Sequence, residues 1–236
     1  MKTAQNFSAR VPLWKRAFDI SAILLLLPVI LLLGLLIALV IRLVSSGPVL
    51  FRQERVGHLG RKFMLFKFRT MYEGSNTDLH RGHLEELLNS NKPMVKMDLR
   101  GDRRIIPFGV LLRSSGLDEL PQLINVFRGD MSLVGPRPCM PYEKKQYLHW
   151  QKERFNSLPG LTGLWQVSGK NKTTFLEMIQ LDIEYGRRKT LWLDLVIISK
   201  TIPALVGQMW EVRHGGKMTQ TPEHDEPVTT VRTINE

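Results

Sequence analysis

The hydropathy pattern is dominated by Ile20–Ile41, ISAILLLLPVILLLGLLIALVI, 22 residues without one ionisable side chain. A helix of about 20 apolar residues matches the hydrocarbon thickness of a bilayer, so this run predicts a membrane helix. No small-residue cleavage site follows it, as a signal peptide would require. Lys2, Arg10, Lys15 and Arg16 precede the run, and Arg42, Arg52, Arg55, Arg61 and Lys62 follow it. With both flanks basic, the charge rule gives a simple span no preferred orientation. Pro28 lies inside the run, where it removes a backbone hydrogen bond and kinks the helix. A re-entrant helix that bends at Pro28 and returns to its own face satisfies both observations; a spanning helix with a tolerated proline is the alternative.

A second apolar stretch, Leu191–Trp210, is interrupted by Asp194 and Lys200. Its Trp192, Leu195, Val196, Ile198, Ile202, Leu205 and Val206 recur at roughly helical spacing. An interfacial amphipathic helix fits it, and so does a core-packing helix. Gly47–Gly57 and Arg61–Met71 are basic and aromatic-rich and read as short strands. The polar stretch 72–99 reads as a surface excursion with a short helix at Leu79–Leu88. From Asp118 to about Phe127 a helix is predicted, with Leu120, Leu123, Ile124 and Phe127 as its apolar stripe. Asp118, Gln122 and Asn125 fall on the opposite face. Pro121 is tolerated only in a first turn, which puts Asp118 and Glu119 at the helix N-terminus.

Composition adds a demand for an acidic partner. The 236 residues carry a net charge of +11, and six scattered histidines show no HExxH or Cys/His ligand spacing. Residues 211–236 hold three basic and five acidic side chains, leaving +13 on the rest. That Thr-rich, Gly-Gly-containing tail reads as disordered. The single cysteine, Cys139, excludes an intramolecular disulfide framework and fits a reducing compartment. On charge alone a membrane-anchored scaffold or a nucleic-acid-binding protein competes, but no recognised nucleic-acid motif is present.

The candidate chemistry lies in Leu112–Pro138, LRSSGLDELPQLINVFRGDMSLVGPRP. An adjacent carboxylate pair, Asp118-Glu119, stands among Arg113, Arg128 and Arg137, a composition suited to a cation-bound phosphate ester. An isolated Asp-Glu pair is more often a helix cap, and the pattern alone does not make Asp118 a nucleophile. Ser157–Asn171 is glycine-rich but matches neither GxxxxGK[ST] nor GxGxxG, so a structural turn is its default reading.

In order along the chain stand Lys15-Arg16-Ala17-Phe18-Asp19, Gly47-Pro48, Phe51–Gly57, Phe66–Met71, Asp102-Arg103, Leu117–Leu123, Gly129–Pro138, Pro159–Gly163 and Leu181-Asp182 with Tyr185 and Asp194. Across about residues 14–207 this series resembles the bacterial sugar transferases, the monotopic polyprenyl-phosphate phosphoglycosyl transferases. Two departures stand out: Leu158 where relatives often carry a basic residue, and Gly169-Lys170 where Gly-Arg is common. Leu27 rather than serine precedes Pro28.

The resemblance implies an α+β, mostly helical fold: an N-terminal re-entrant membrane helix, amphipathic interfacial helices and a small β element around a cytoplasmic active site. It divides the chain into a tail at 1–13, the membrane helix at 14–45, the catalytic domain at 46–210 and the tail at 211–236. It implies transfer of sugar-1-phosphate from a UDP-sugar to undecaprenyl phosphate, releasing UMP, by a ping-pong route with an aspartyl-phosphosugar intermediate. Asp118 is then the nucleophile, and Mg²⁺ is held by Asp118 and Glu119. Arg113 is expected at the polyprenyl phosphate and Arg137 at the diphosphate, with Gln122, Lys67, Arg69, Arg154 and Lys170 as further phosphate or substrate contacts. The expected setting is the cytoplasmic face of a bacterial inner membrane, with no nucleic-acid partner and with a homodimer admitted.

Overall fold

A computed structural model describes residues 10–72, 104–169 and 173–214, so Leu79–Leu88, Asp102-Arg103, Lys170 and most of the C-terminal tail lie outside it. The fold is mostly helical with two small sheets, and α1 (Leu13–Val44) contains the apolar run with Pro28 inside it. Every residue from Leu24 to Val29 is exposed, Pro28 among them. The two ends of α1, by contrast, are both docked. Ile23 packs with Leu65, Val126 and Met131, while Ile37 and Ile41 pack with Phe68, Ile106 and Leu112.

After α1, the expected strands form an antiparallel hairpin of β1 (Leu50–Val56) and β2 (Lys62–Phe68), with Leu50 opposite Phe68 and Val56 opposite Lys62. Next come α2 (Gly109–Ser115), a 3-10 turn at Leu117–Glu119, and α3 (Gln122–Arg128). The predicted helix over 118–127 is thus two pieces, and the proline explains the split. Pro121 has no amide to donate, so it occupies the N-cap of α3, and the dyad falls in the turn before it.

The predicted apolar stripe is also divided. Leu120 and Leu123 pack inward, but Ile124 and Phe127 are 43% and 55% exposed. The polar face is the buried one. Asn125 donates to the Met64 carbonyl at 2.7 Å and accepts from the Phe66 amide at 3.2 Å, which satisfies backbone groups of β2 and fixes α3 along it.

Beyond α3, β3 (Ser132–Val134) runs parallel to β4 (Gly160–Thr162), with α4 (Pro141–Gln146) and a 3-10 segment (Trp150–Asn156) in the crossover. Here the glycine-rich segment finds its use. A Cβ on Gly160 would lie 2.0 Å from the Gly135 amide nitrogen, and one on Gly163 would lie 2.3 Å from the Gly135 carbonyl oxygen. The glycines therefore let two backbones touch, which is a packing role. Leu158, which stands where relatives often carry a basic residue, is buried beside them. A short α5 (Leu164–Val167) and α6 (Phe175–Arg188), the latter opened by a Thr174/Glu177 capping box, lead to α7 (Leu191–His214).

α7 runs four residues past the expected boundary at Trp210. Its Trp192, Leu195, Ile202, Val206 and Trp210 are exposed along one face, whereas Asp194 and Ile197 are buried on the other. Asp194 interrupts the apolar pattern because it is the partner of Lys15, at 2.6 Å. Both α1 and α7 are long and apolar enough to cross a membrane by length and composition.

Candidate active site

The start of α1 supplies a polar clasp for the elements that carry the site. Arg16 donates to the Val126 and Phe127 carbonyls at 2.7 and 3.1 Å, closing the C-terminal end of α3. Asp19 accepts from the Ser132 hydroxyl and the Leu133 amide, each at 3.0 Å, and so holds β3. Lys15 donates to Asp194 and to the Tyr185 hydroxyl at 2.8 Å, and Tyr185 lies 3.0 Å from the Val134 carbonyl. Three side chains on little more than one turn of α1 thus reach α3, β3, α6 and α7.

The dyad itself is made by Gly116. Its φ of 74° ends α2 and turns the chain straight into Leu117–Glu119. Asp118 is 8% exposed, and Glu119 accepts from Lys67 on β2 at 2.7 Å. Gln122 is buried one turn beyond Asp118. Arg113 sits in the last turn of α2, where its carbonyl accepts from Gln208 of α7 at 3.2 Å. The residue is half-buried, five positions before Asp118, and its guanidinium has no carboxylate partner among the described residues.

Arg137 lies on a second loop, which β3 joins to α3. Glu143, 1% exposed, pairs with its guanidinium at 3.5 Å, and Arg154 donates to its backbone carbonyl at 2.8 Å. Arg55 donates to the next carbonyl, that of Pro138, at 3.2 Å, and its pKa is pushed down to about 10 by burial and then by the nearby Arg137 charge. The Val56 amide bonds to the Cys139 carbonyl at 2.9 Å, which ties this loop to β1.

Two of the expected phosphate contacts serve other groups. Arg69 is buried and donates to the Ser45 and Ser46 carbonyls at 3.0 and 2.6 Å, where it fastens the end of α1 to β2. Arg154 is 2% exposed and is held between Asp182, Tyr147 and the Arg137 carbonyl. It thereby holds the Arg137 carbonyl. Glu143, Tyr147 and Asp182 escaped sequence reasoning as site residues; only the Leu181-Asp182 pair stood in the recognisable pattern.

Burial pushes Asp182 up to about 6 even though Arg154 opposes the shift. Because the folded value exceeds the unfolded one, the folded chain takes up the extra proton, and this group's contribution to stability grows as pH falls through about 6. Activity should show the opposite. Protonation weakens the hold on Arg154 and so on the Arg137 carbonyl, giving an acid limb near pH 6 in kcat/KM for the nucleotide substrate. Asp182→Asn should lower the plateau and remove that inflection, and an inflection that survives it would assign the limb elsewhere.

The family model described as bacterial sugar transferase matches residues 10–208. The exopolysaccharide production protein ExoY of Rhizobium meliloti is 39% identical over 196 residues, covering 81% of this chain and 84% of that protein. A UDP-glucose:undecaprenyl-phosphate glucose-1-phosphate transferase of Caulobacter vibrioides is 42% identical over 204 residues, covering 83% and 71%. The undecaprenyl-phosphate galactose phosphotransferase of Salmonella typhimurium is 39% identical over 194 residues; the match covers 79% of this chain but 39% of that longer protein.

Proposed function

Because the chain belongs to the bacterial sugar transferase family, we propose that it transfers a sugar-1-phosphate from a UDP-sugar to undecaprenyl phosphate at a membrane surface. The observation that carries this reading is an Asp-Glu dyad at the turn between α2 and α3, with Asp118 buried, Glu119 half-buried and paired with Lys67, and Arg113 five residues before Asp118, in a body whose exposed helix faces are apolar. An Asp118 carboxylate oxygen forms a bond to the sugar-bearing phosphorus. The bond from that phosphorus to the bridging oxygen breaks, and UMP leaves with that oxygen. An oxygen of undecaprenyl phosphate then attacks the same phosphorus, and Asp118 departs as carboxylate. Splitting the displacement gives ping-pong kinetics.

Each step brings two anions together, so positive charge must be fixed in place beforehand. Lys67 and Arg113 meet that need at the dyad, and Arg137 suits the departing diphosphate oxygens. Among the described residues no group of three or more His, Cys, Asp or Glu side chains is placed to hold a metal. Two adjacent carboxylates still fit Mg²⁺, which takes one or two protein carboxylates and fills its other positions with water and substrate phosphates. Asp118 and Glu119 would hold it, and its chemistry there is neutralisation of phosphoryl charge.

The membrane seating we propose rests on α1. Ile23 and Ser45 are 22 residues apart, about 33 Å along a straight helix. Their partners, Leu65 on β2 and Arg69 just after it, are four residues apart, about 13 Å. A bend at Pro28 reconciles the two lengths and makes α1 re-entrant, with both ends on the cytoplasmic face of the inner membrane. The outward apolar faces of α3 and α7 then lie at the interface, level with the lipid phosphate. Cysteines placed at positions 2 and 62 should label from one side of the membrane; labelling from opposite sides would make α1 a span. Membranes holding the protein should release UMP from one member of a UDP-sugar panel, and only when undecaprenyl phosphate and Mg²⁺ are supplied for turnover. Sustained turnover without the lipid would point to hydrolysis instead.

A further inference from the structure

Phe66 on β2 gathers two arginines from separate elements. The Arg52 guanidinium, from the cross-strand partner on β1, lies 5.8 Å from its ring centroid, and that of Arg128, the last residue of α3, lies 5.3 Å away. Both arginines are exposed. Neither has an ion-pair partner among the described residues, and nearby acids are engaged elsewhere: Glu54 with Lys62 at 2.9 Å, Asp130 with the Asn125 amide at 3.4 Å. The carbonyls at the end of α3 are served by Arg16, so Arg128 is not needed there. Stacking on a ring satisfies the face of a guanidinium and leaves its N–H edge for a bidentate anion.

The position of the pair narrows the choice of anion. Side chains alternate along a strand, so Phe66 faces away from Lys67, whose amine pairs with Glu119. The stack is therefore across the hairpin from the dyad and does not compete for the reacting phosphate. Beside it are the exposed apolar side chains Ile124 and Phe127 of α3. Gly129, next after Arg128, lies where an added Cβ would be 3.6 Å from the Arg16 guanidinium, at the beginning of α1. The patch thus borders the point where α1 leaves the body.

We propose that Arg52, Phe66 and Arg128 form a docking surface for the headgroups of anionic phospholipids around α1. The proposal rests on the membrane seating given above. A phosphodiester at the interface supplies a counter-ion, and the adjoining Ile124 and Phe127 meet the acyl region below it. Each basic side chain near an anionic surface is worth about a fivefold preference for anionic over zwitterionic lipid.

The test uses the full chain in lipid nanodiscs of phosphatidylcholine with increasing phosphatidylglycerol. UMP release by the wild type should rise with the phosphatidylglycerol fraction, and native mass spectrometry should find phosphatidylglycerol retained in preference to phosphatidylcholine. Arg52→Gln/Arg128→Gln should match the wild type in pure phosphatidylcholine and lose both the rise and the retention, by about fivefold per arginine. A wild type held in nanodiscs but indifferent to phosphatidylglycerol overturns the surface alone. So does a variant whose lipid dependence is intact but whose KM for undecaprenyl phosphate rises, which would assign the arginines to the acceptor. Wild-type protein recovered free of nanodiscs overturns the membrane seating, and the surface with it.

Discussion

Asp118→Asn should reduce lipid-dependent UMP release to background, a fall of at least about three orders of magnitude. The substitution keeps the shape of a side chain that is 8% exposed, so the 3-10 turn and the Lys67–Glu119 pair should persist. What disappears is the only oxygen nucleophile the proposed route has. A single-turnover experiment separates this from a binding defect. Without lipid acceptor, the wild type should release UMP stoichiometric with enzyme and retain the sugar phosphate covalently, whereas Asp118→Asn should do neither while still binding UDP-sugar. Glu119→Gln tests the neighbour: it removes the charge opposite Lys67 but leaves Asp118, so a reduced burst should survive. Multiple turnover by Asp118→Asn within about a hundredfold of wild type would show that another group attacks phosphorus. The lipid phosphate attacking directly in a single displacement would then be the simplest route, and the covalent adduct would be absent from the wild type as well.

How much of this site was readable in the chain varies by the kind of interaction. The apolar run, the hairpin strands and the dyad next to a proline all declare themselves locally, because each depends on neighbours within a few residues. Pairings over long separations do not. Lys15 and Asp194 are 179 residues apart, and although Asp194 stood in the family pattern, hydropathy showed it as an interruption of an apolar stretch and named no partner. Arg69 and Arg154 were expected at phosphates because arginines near a dyad suit them. Pattern says nothing about where a long cationic side chain ends, and both turned out to satisfy backbone carbonyls. The helix α3 carries the opposite lesson. Its periodicity was correct, but the polar side is inside because Asn125 satisfies backbone groups of β2, and half of the apolar stripe faces outward. An apolar outer face is costly in water and favourable at a lipid interface, so this inversion is itself an argument for where the site sits.

The second large effect should come from the clasp, far from the phosphorus. In Asp194→Ala the Lys15 ammonium, whose side chain is 3% exposed, loses its carboxylate and keeps the Tyr185 hydroxyl and two aromatic rings. An uncompensated buried charge costs about 3–5 kcal/mol, which for a chain of this size lowers Tm by on the order of 10 °C. Removing both charges should behave differently. Lys15→Met/Asp194→Leu leaves no buried ion and fills similar volume, so its Tm in detergent should return to within a few degrees of wild type. Activity need not return with it. The Tyr185 hydroxyl lies 2.8 Å from Asp194 Oδ1 and 3.0 Å from the Val134 carbonyl, and its one proton serves a single acceptor at a time. Without Asp194 that proton goes to Val134, three residues before Arg137. A double variant that regains Tm but keeps a raised KM for the UDP-sugar would show that the clasp positions the Arg137 loop as well as holding α1. Full recovery of both would reduce it to a fastening for the membrane helix. A drop in Tm equally large in the double variant would mean that the packing of Lys15 and Asp194, and not their charge, holds the two helices together.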